Sequence, residues 1–233
     1  MTINLQVLDD PASACAAMLL GPILAGGDIV LTGGSTPRRA YGELAKALRA
    51  AGRDVSGATI WFSDERCVDP DHELSNFRLV NETLLGPLDG LAPPRAMRIA
   101  AERGPHEGAE LYEQTLQEAG GVPFDLVLLG LGPDGHIASL FPDQDTLSER
   151  SRSVVGVEEA GLEPYVPRVS LTLPVLAGGK QIVVLVTGES KADAVAAAFG
   201  PEARPDPHVP GSLLSPLADE ITVLLDPGAA AKL

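Results

Sequence analysis

The chain has 233 residues, 45% hydrophobic and 21% charged, with a formal net charge of −15; that is enough apolar material to bury a sizeable core in one domain spanning 1–233. An acidic chain with no basic run is a poor match for nucleic acid or an anionic membrane surface, which recruit clustered Lys and Arg. Two cysteines, Cys15 and Cys67, lack zinc-ligand spacing and are too few for a disulfide framework, which fits a reducing, cytoplasmic setting.

In chain order, the apolar stretch 12–24 follows Asp9 and Asp10, acids where a signal peptide would carry Lys or Arg, and it reads as a buried helix. No run reaches the ~18–20 unbroken apolar residues of a membrane span. Short β-branched or apolar runs bounded by Gly, Pro or Asp then alternate with segments of helical period. Strands are expected at 28–32, 59–62, 97–99, 126–130, 154–157, 168–173, 182–186 and 221–225. Helices are expected from Pro37, over 74–85 and 107–119, and from Glu189, with a proline-rich loop at 201–210. The alternation predicts an α/β fold: a Rossmann-like, mostly parallel sheet with helices on both faces, in a single domain. The runs 126–129 and 182–186 are apolar at consecutive positions and suit central strands. Ligands of such sheets bind beyond the carboxyl ends of the strands.

Chemistry-bearing residues stand at such ends. In Leu31-Thr32-Gly33-Gly34-Ser35-Thr36-Pro37 a strand runs into a glycine turn and a helix start. Backbone N–H groups of Gly33 and Gly34 and the hydroxyls of Ser35 and Thr36 can converge on a phosphate; a plain capped turn is the alternative. In Trp61-Phe62-Ser63-Asp64-Glu65-Arg66 a strand delivers two acids and a guanidinium into a loop. Arg66 can bind an anion or polarise a carbonyl, or simply pair with Glu65. In 124–136 a buried strand breaks into Gly130-Leu131-Gly132-Pro133-Asp134-Gly135-His136. A histidine there can titrate near neutral pH as a general base, with an adjacent carboxylate to orient it.

His72, His106 and His208 lie in polar or proline-bounded stretches without a metal-ligand pattern and read as surface residues, so no metal is expected. Arg168 opens a strand, and Lys191 falls in the first turn of a helix, where the dipole disfavours a cation unless an anion binds. Pairing of Lys191 with Glu189 or Asp193 is the alternative.

Together, segments 32–41, 61–66, 74–85, 124–142, 167–173 and 188–192 resemble the 6-phosphogluconolactonase family, which shares its fold with glucosamine-6-phosphate deaminases. The most specific stretches are Gly130-Leu131-Gly132-Pro133-Asp134-Gly135-His136-Ile137-Ala138-Ser139-Leu140-Phe141-Pro142, and Ser63-Asp64-Glu65-Arg66 with Glu73-Leu74-Ser75-Asn76. The resemblance implies hydrolysis of 6-phosphoglucono-1,5-lactone in the pentose phosphate pathway, with no metal or nucleotide cofactor. It implies that Gly33, Gly34, Ser35 and Thr36 meet the phosphate with Arg168 and Lys191. His136 would be the base, Asp134 its orienter, and Arg66 would face the substrate. The expected partner is a small sugar-phosphate lactone; the sequence does not reveal the oligomeric state, and a monomer is favoured. Two rivals are an amino-sugar phosphate deaminase and a non-catalytic sugar-phosphate sensor. Deaminases follow Asp-Gly-His-Ile with Gly-Phe-Asn-Glu-Pro, whereas this chain has Ala138-Ser139-Leu140-Phe141-Pro142 and no acid at the matching position. Sensors usually add a DNA-binding module, for which this length leaves no room.

Overall fold

The computed structural model describes residues 2–121 and 123–233. Strand β1 (Thr2–Val7) leads to helix α1 (Pro11–Leu24), whose first turn is capped by Asp10 accepting from Ser13 N. Strand β2 (Asp28–Leu31) and helix α2 (Thr36–Ala51) follow, then β3 (Thr59–Phe62), a short β4 (Asp64–Arg66), α3 (Asn76–Val80) and β5 (Arg95–Met97). Helix α4 (Pro105–Glu118) precedes β6 (Leu126–Leu129), β7 (Val154–Val157) and β8 (Arg168–Leu171). The chain closes with α5 (Leu173–Ala177), β9 (Ile182–Val186), α6 (Ala192–Phe199) and β10 (Glu220–Leu225).

Seven strands form a parallel sheet in the order β1-β10-β9-β6-β2-β3-β5, and β4-β8-β7 form a small antiparallel sheet beside it. The order determines where a ligand can enter. From β2 the chain steps outward to β3 and β5, then crosses back to β6 and steps the other way through β9 to β10. Right-handed crossovers therefore put α2 and α3 on one face and α4 and α6 on the other, as expected of helices on both faces. The reversal falls between β2 and β6, adjacent strands in the register Ile29↔Leu126 and Val30↔Val127. A crevice opens at such a switch point beyond the carboxyl ends. The loops leaving those two ends are 32–35 and 130–136.

The fully buried runs of β6 and β9 hold the middle of the sheet, as their unbroken apolar sequence predicts. One core cluster runs through the large sheet and its helices, and a small satellite joins Phe141, Val157 and Ala160.

Several elements differ from expectation. Strand β1 was not foreseen, although Thr2-Ile3-Asn4-Leu5-Gln6-Val7 alternates in the manner of an edge strand, here pairing with β10. Residues 64–66, read as loop, extend as β4 and pair with β8, placing Arg66 opposite Arg168. Strand β5 lies two residues earlier than 97–99. The expected strand 168–173 stops at Leu171, because Pro174 in the first turn of α5 favours a helix start. The 74–85 helix begins after Ser75, whose Oγ accepts from Arg78 N, and relaxes into a wider π turn over Asn81–Leu85. A short 3₁₀ turn, Glu189–Lys191, precedes α6, so Lys191 takes the cap position rather than the first helical turn. Among the described residues no helix is long and apolar enough to cross a membrane.

Candidate active site

A cavity of about 190 Å³ occupies the switch point, and both loops line it: Thr32 to Pro37 on one side, Gly130 to Gly132 and His136 on the other, with Asp64, Arg66, Ala138 and Lys191 completing the wall. Its volume is below the ~300–1,000 Å³ of drug-sized pockets, so it suits one small metabolite.

The glycine turn is built for close approach. Gly34 has φ +95° and open space where a Cβ would stand, whereas a Cβ on Gly33 would overlap Asn76 Oδ1. Tyr41, one turn into α2, steadies the start of the turn: its hydroxyl donates to Thr32 O at 2.6 Å and accepts from Thr32 N at 3.2 Å. Ser35 stands at the cap position of α2, yet its side chain makes no capping bond. The Thr36 hydroxyl accepts from Thr187 Oγ1 at 3.4 Å, which leaves its own hydrogen free. A helix of 16 residues thus points orphan N–H groups and two uncommitted hydroxyl hydrogens into the cavity. Such an arrangement, at the positive end of a helix dipole, is suited to an anion.

On the opposite loop, Asp134 Oδ1 lies 2.5 Å from His136 Nδ1 and also accepts from His136 N at 3.2 Å. A carboxylate only accepts, so Nδ1 carries the proton and the lone pair sits on Nε2. Burial by itself pushes the Asp134 carboxyl up, but its bond to the imidazole, the imidazole charge and the backbone N–H of His136 outweigh it and hold the carboxyl below its ordinary value. Gly132 is required here by contact alone, because a Cβ would overlap His136 Nδ1 and Asp134 Oδ1. The face of the imidazole packs against Phe141, ring centroids 4.8 Å apart.

Lys191 lines the cavity, and burial pulls its ammonium below the ordinary lysine value despite the nearby Asp134. Neither Glu189 nor Asp193 forms an ion pair with it among the described residues, where Asp193 instead pairs with Lys232. Arg66 is anchored through Nη1 to Leu74 O at 2.8 Å, while its buried Nε has no partner. Arg168 stands apart from its expected companions. It is absent from the cavity wall, its Nε and Nη2 donate to Val166 O and Pro164 O, and burial followed by the charge of Arg66 pulls it down to about 10.

Reasoning from sequence missed the floor of the site. Asp64 lines the cavity with 4% exposure and accepts from Ser139 Oγ at 2.7 Å, Ser63 Oγ at 3.0 Å and Asn76 Nδ2 at 3.2 Å. Beside it, Glu65 accepts from the backbone N–H of Arg66, Asn76 and Phe77 and from the Ser75 hydroxyl, tying β4 to the start of α3. The signal was the pairing of Ser63-Asp64-Glu65 with Ser75-Asn76, polar side chains whose mutual contact only the fold reveals. His72, His106 and His208 are exposed, and no group of three or more His, Cys, Asp or Glu is arranged to hold a metal among the described residues.

The model describing glucosamine-6-phosphate isomerases/6-phosphogluconolactonase matches residues 25–223. A 6-phosphogluconolactonase of Synechocystis sp. is 34% identical over 240 residues, covering 99% of this chain and 96% of that protein. The crystal structure of 6-phosphogluconolactonase from Leishmania guyanensis matches with a TM-score of 0.83 at 27% identity, over 98% of both chains. A monomeric glucosamine-6-phosphate deaminase matches with a TM-score of 0.77 at 21% identity over the whole of both chains, a likeness of fold. With the family model spanning most of its length and a relative aligned nearly end to end, the chain belongs to the glucosamine-6-phosphate isomerase/6-phosphogluconolactonase family.

Proposed function

We propose that this chain hydrolyses 6-phosphoglucono-1,5-lactone to 6-phosphogluconate, the lactonase step of the oxidative pentose phosphate pathway. The observation that carries the reading is a single cavity with an anion seat on one wall and an oriented imidazole on the other. The phosphate sits on the N–H groups and hydroxyls of residues 33–36, and Lys191 supplies the countercharge. This leaves the lactone carbonyl to face His136. Nε2 takes a proton from water as the water oxygen bonds to C1, and the carbonyl electrons move onto oxygen. Arg66, always charged, faces that oxyanion with its remaining donors. When the carbonyl re-forms, the bond from C1 to the ring oxygen breaks, and the imidazolium returns its proton to that oxygen. Asp134 holds the tautomer throughout. The steps as written use no metal or nucleotide; a base contributes ~10²–10⁴-fold, which suits a substrate that already hydrolyses unaided.

Ring opening of an amino sugar fits less well, since the position of the deaminase glutamate holds Phe141, 1% exposed and packed on the imidazole. The two free cysteines agree with a cytoplasmic enzyme. The test is a coupled assay with freshly prepared lactone, corrected for spontaneous opening, beside glucosamine 6-phosphate. Acceleration with the lactone alone is expected, and turnover of the amino sugar instead would refute the reading.

A further inference from the structure

Arg168 is only 3% exposed, yet it does not reach the cavity. Its Nη2 donates to Pro164 O at 2.8 Å and its Nε to Val166 O at 3.1 Å, so two of its donors already hold the segment that precedes β8. The guanidinium carbon stands 6.0 Å from the centroid of the Phe141 ring, at the limit of a cation–π contact. Phe141 in turn lies against the imidazole of His136, centroids 4.8 Å apart and planes at 42°. Gly161, in the segment that Arg168 braces, closes a further side: a Cβ there would come within 3.0 Å of Phe141 Cβ and 3.1 Å of its Cδ1.

The imidazole is therefore held in two directions. Asp134 fixes it within its plane through Nδ1, and Phe141 fixes the tilt of its face. The phenyl ring has little freedom, being buried and packed between the base, the guanidinium and Gly161. Because a base displaced by about 1 Å can lose on the order of 10²-fold in rate, the tilt matters to turnover.

We propose that Arg168 is a positioning residue which, through Phe141 and the 160–167 segment, sets the orientation of the His136 imidazole, and that it is not a ligand of the substrate phosphate. The inference rests on the hydrolytic reading above and adds the structure that supports its base. It assigns the same effect to three residues of different chemistry, Arg168, Phe141 and Gly161, none of which lines the cavity.

The experiment compares wild type with Arg168→Met, Arg168→Lys, Phe141→Leu and Gly161→Ala. It measures lactone turnover across pH, the affinity for 6-phosphogluconate by calorimetry, and folding by circular dichroism. Gly161→Ala is the mildest, because its methyl group acts only by pushing on Phe141. In each folded variant kcat is expected to fall by roughly ten- to a hundred-fold while KM and product affinity stay within about twofold, with Arg168→Lys retaining more kcat than Arg168→Met. The pH profile of kcat should change shape, whereas a smaller folded fraction would only scale it. A phosphate ligand would behave oppositely, so tenfold weaker product binding with unchanged kcat in Arg168→Met overturns the proposal. So does wild-type kcat in folded Gly161→Ala and Phe141→Leu. No acceleration by wild type would instead overturn the hydrolytic reading itself, and this role with it.

Discussion

In the proposed mechanism His136 serves as the base because of what occupies its other nitrogen. With Nδ1 bonded to Asp134, only Nε2 can accept from water. His136→Ala should keep its affinity for 6-phosphogluconate and lose ~10²–10⁴-fold in kcat, and unchanged turnover would remove the residue from the mechanism. Asp134→Asn offers an amide that can stabilise the wrong tautomer, so kcat should drop by at least about tenfold in a folded protein. Stability supplies a second readout for this variant. Because the native carboxyl is held below its ordinary value, its contribution is fully present above about pH 4 and is lost as pH falls through the lowered value. Urea unfolding between roughly pH 5 and 3 should therefore slope less steeply for Asp134→Asn than for wild type. Lys191 has the opposite sign. Burial lowers its ammonium, so the unfolded chain holds that proton more tightly and stability rises with pH between the lowered value and 10.5. Lys191→Met should lack this alkaline rise, unfold no more easily at neutral pH, and lose the thermal stabilisation that wild type gains from 6-phosphogluconate. A variant still stabilised by that ligand would place the phosphate elsewhere.

Among the elements, β4 and α3 were the least legible from sequence and matter most to the floor of the site. Three residues carry no periodicity, so Asp64-Glu65-Arg66 could be read only as loop; the pairing with β8 that makes them a strand is long-range. Helix α3 is short and depends on Glu65, which accepts three backbone N–H groups and the Ser75 hydroxyl. Glu65→Ala would leave the buried donors among them, Asn76 N and Ser75 Oγ, unsatisfied at about 1–3 kcal/mol for each, and should markedly lower the urea midpoint. An unchanged midpoint would mean that α3 is held by other contacts. The strand-to-turn elements behaved differently. Residues 28–37 and 126–136 were legible because each combines a buried apolar run with glycines and then a polar residue, a local pattern that fixes both the strand and its exit. Arg168, which opens a strand beside the site, was expected on the phosphate; its Nε and Nη2 donate to the carbonyls of Val166 and Pro164, contacts that no local pattern in the sequence signals.

For the whole molecule, the strand order converts two distant loops into one site. Alternating strands and helices predicted the parallel sheet, while the order β1-β10-β9-β6-β2-β3-β5 was not readable, since it depends on which buried strands pack side by side. Once β2 and β6 are neighbours, the glycine turn and the histidine loop must leave the same edge, and the proposed chemistry depends on that adjacency. A crystal structure with bound 6-phosphogluconate tests it most directly. The phosphate is expected on the N–H groups and hydroxyls of residues 33–36 near Lys191, with the C1 carboxylate about 2.6–3.2 Å from His136 Nε2, directly or through one water. A phosphate bound at Arg168, or a carboxylate pointing away from His136, would contradict it.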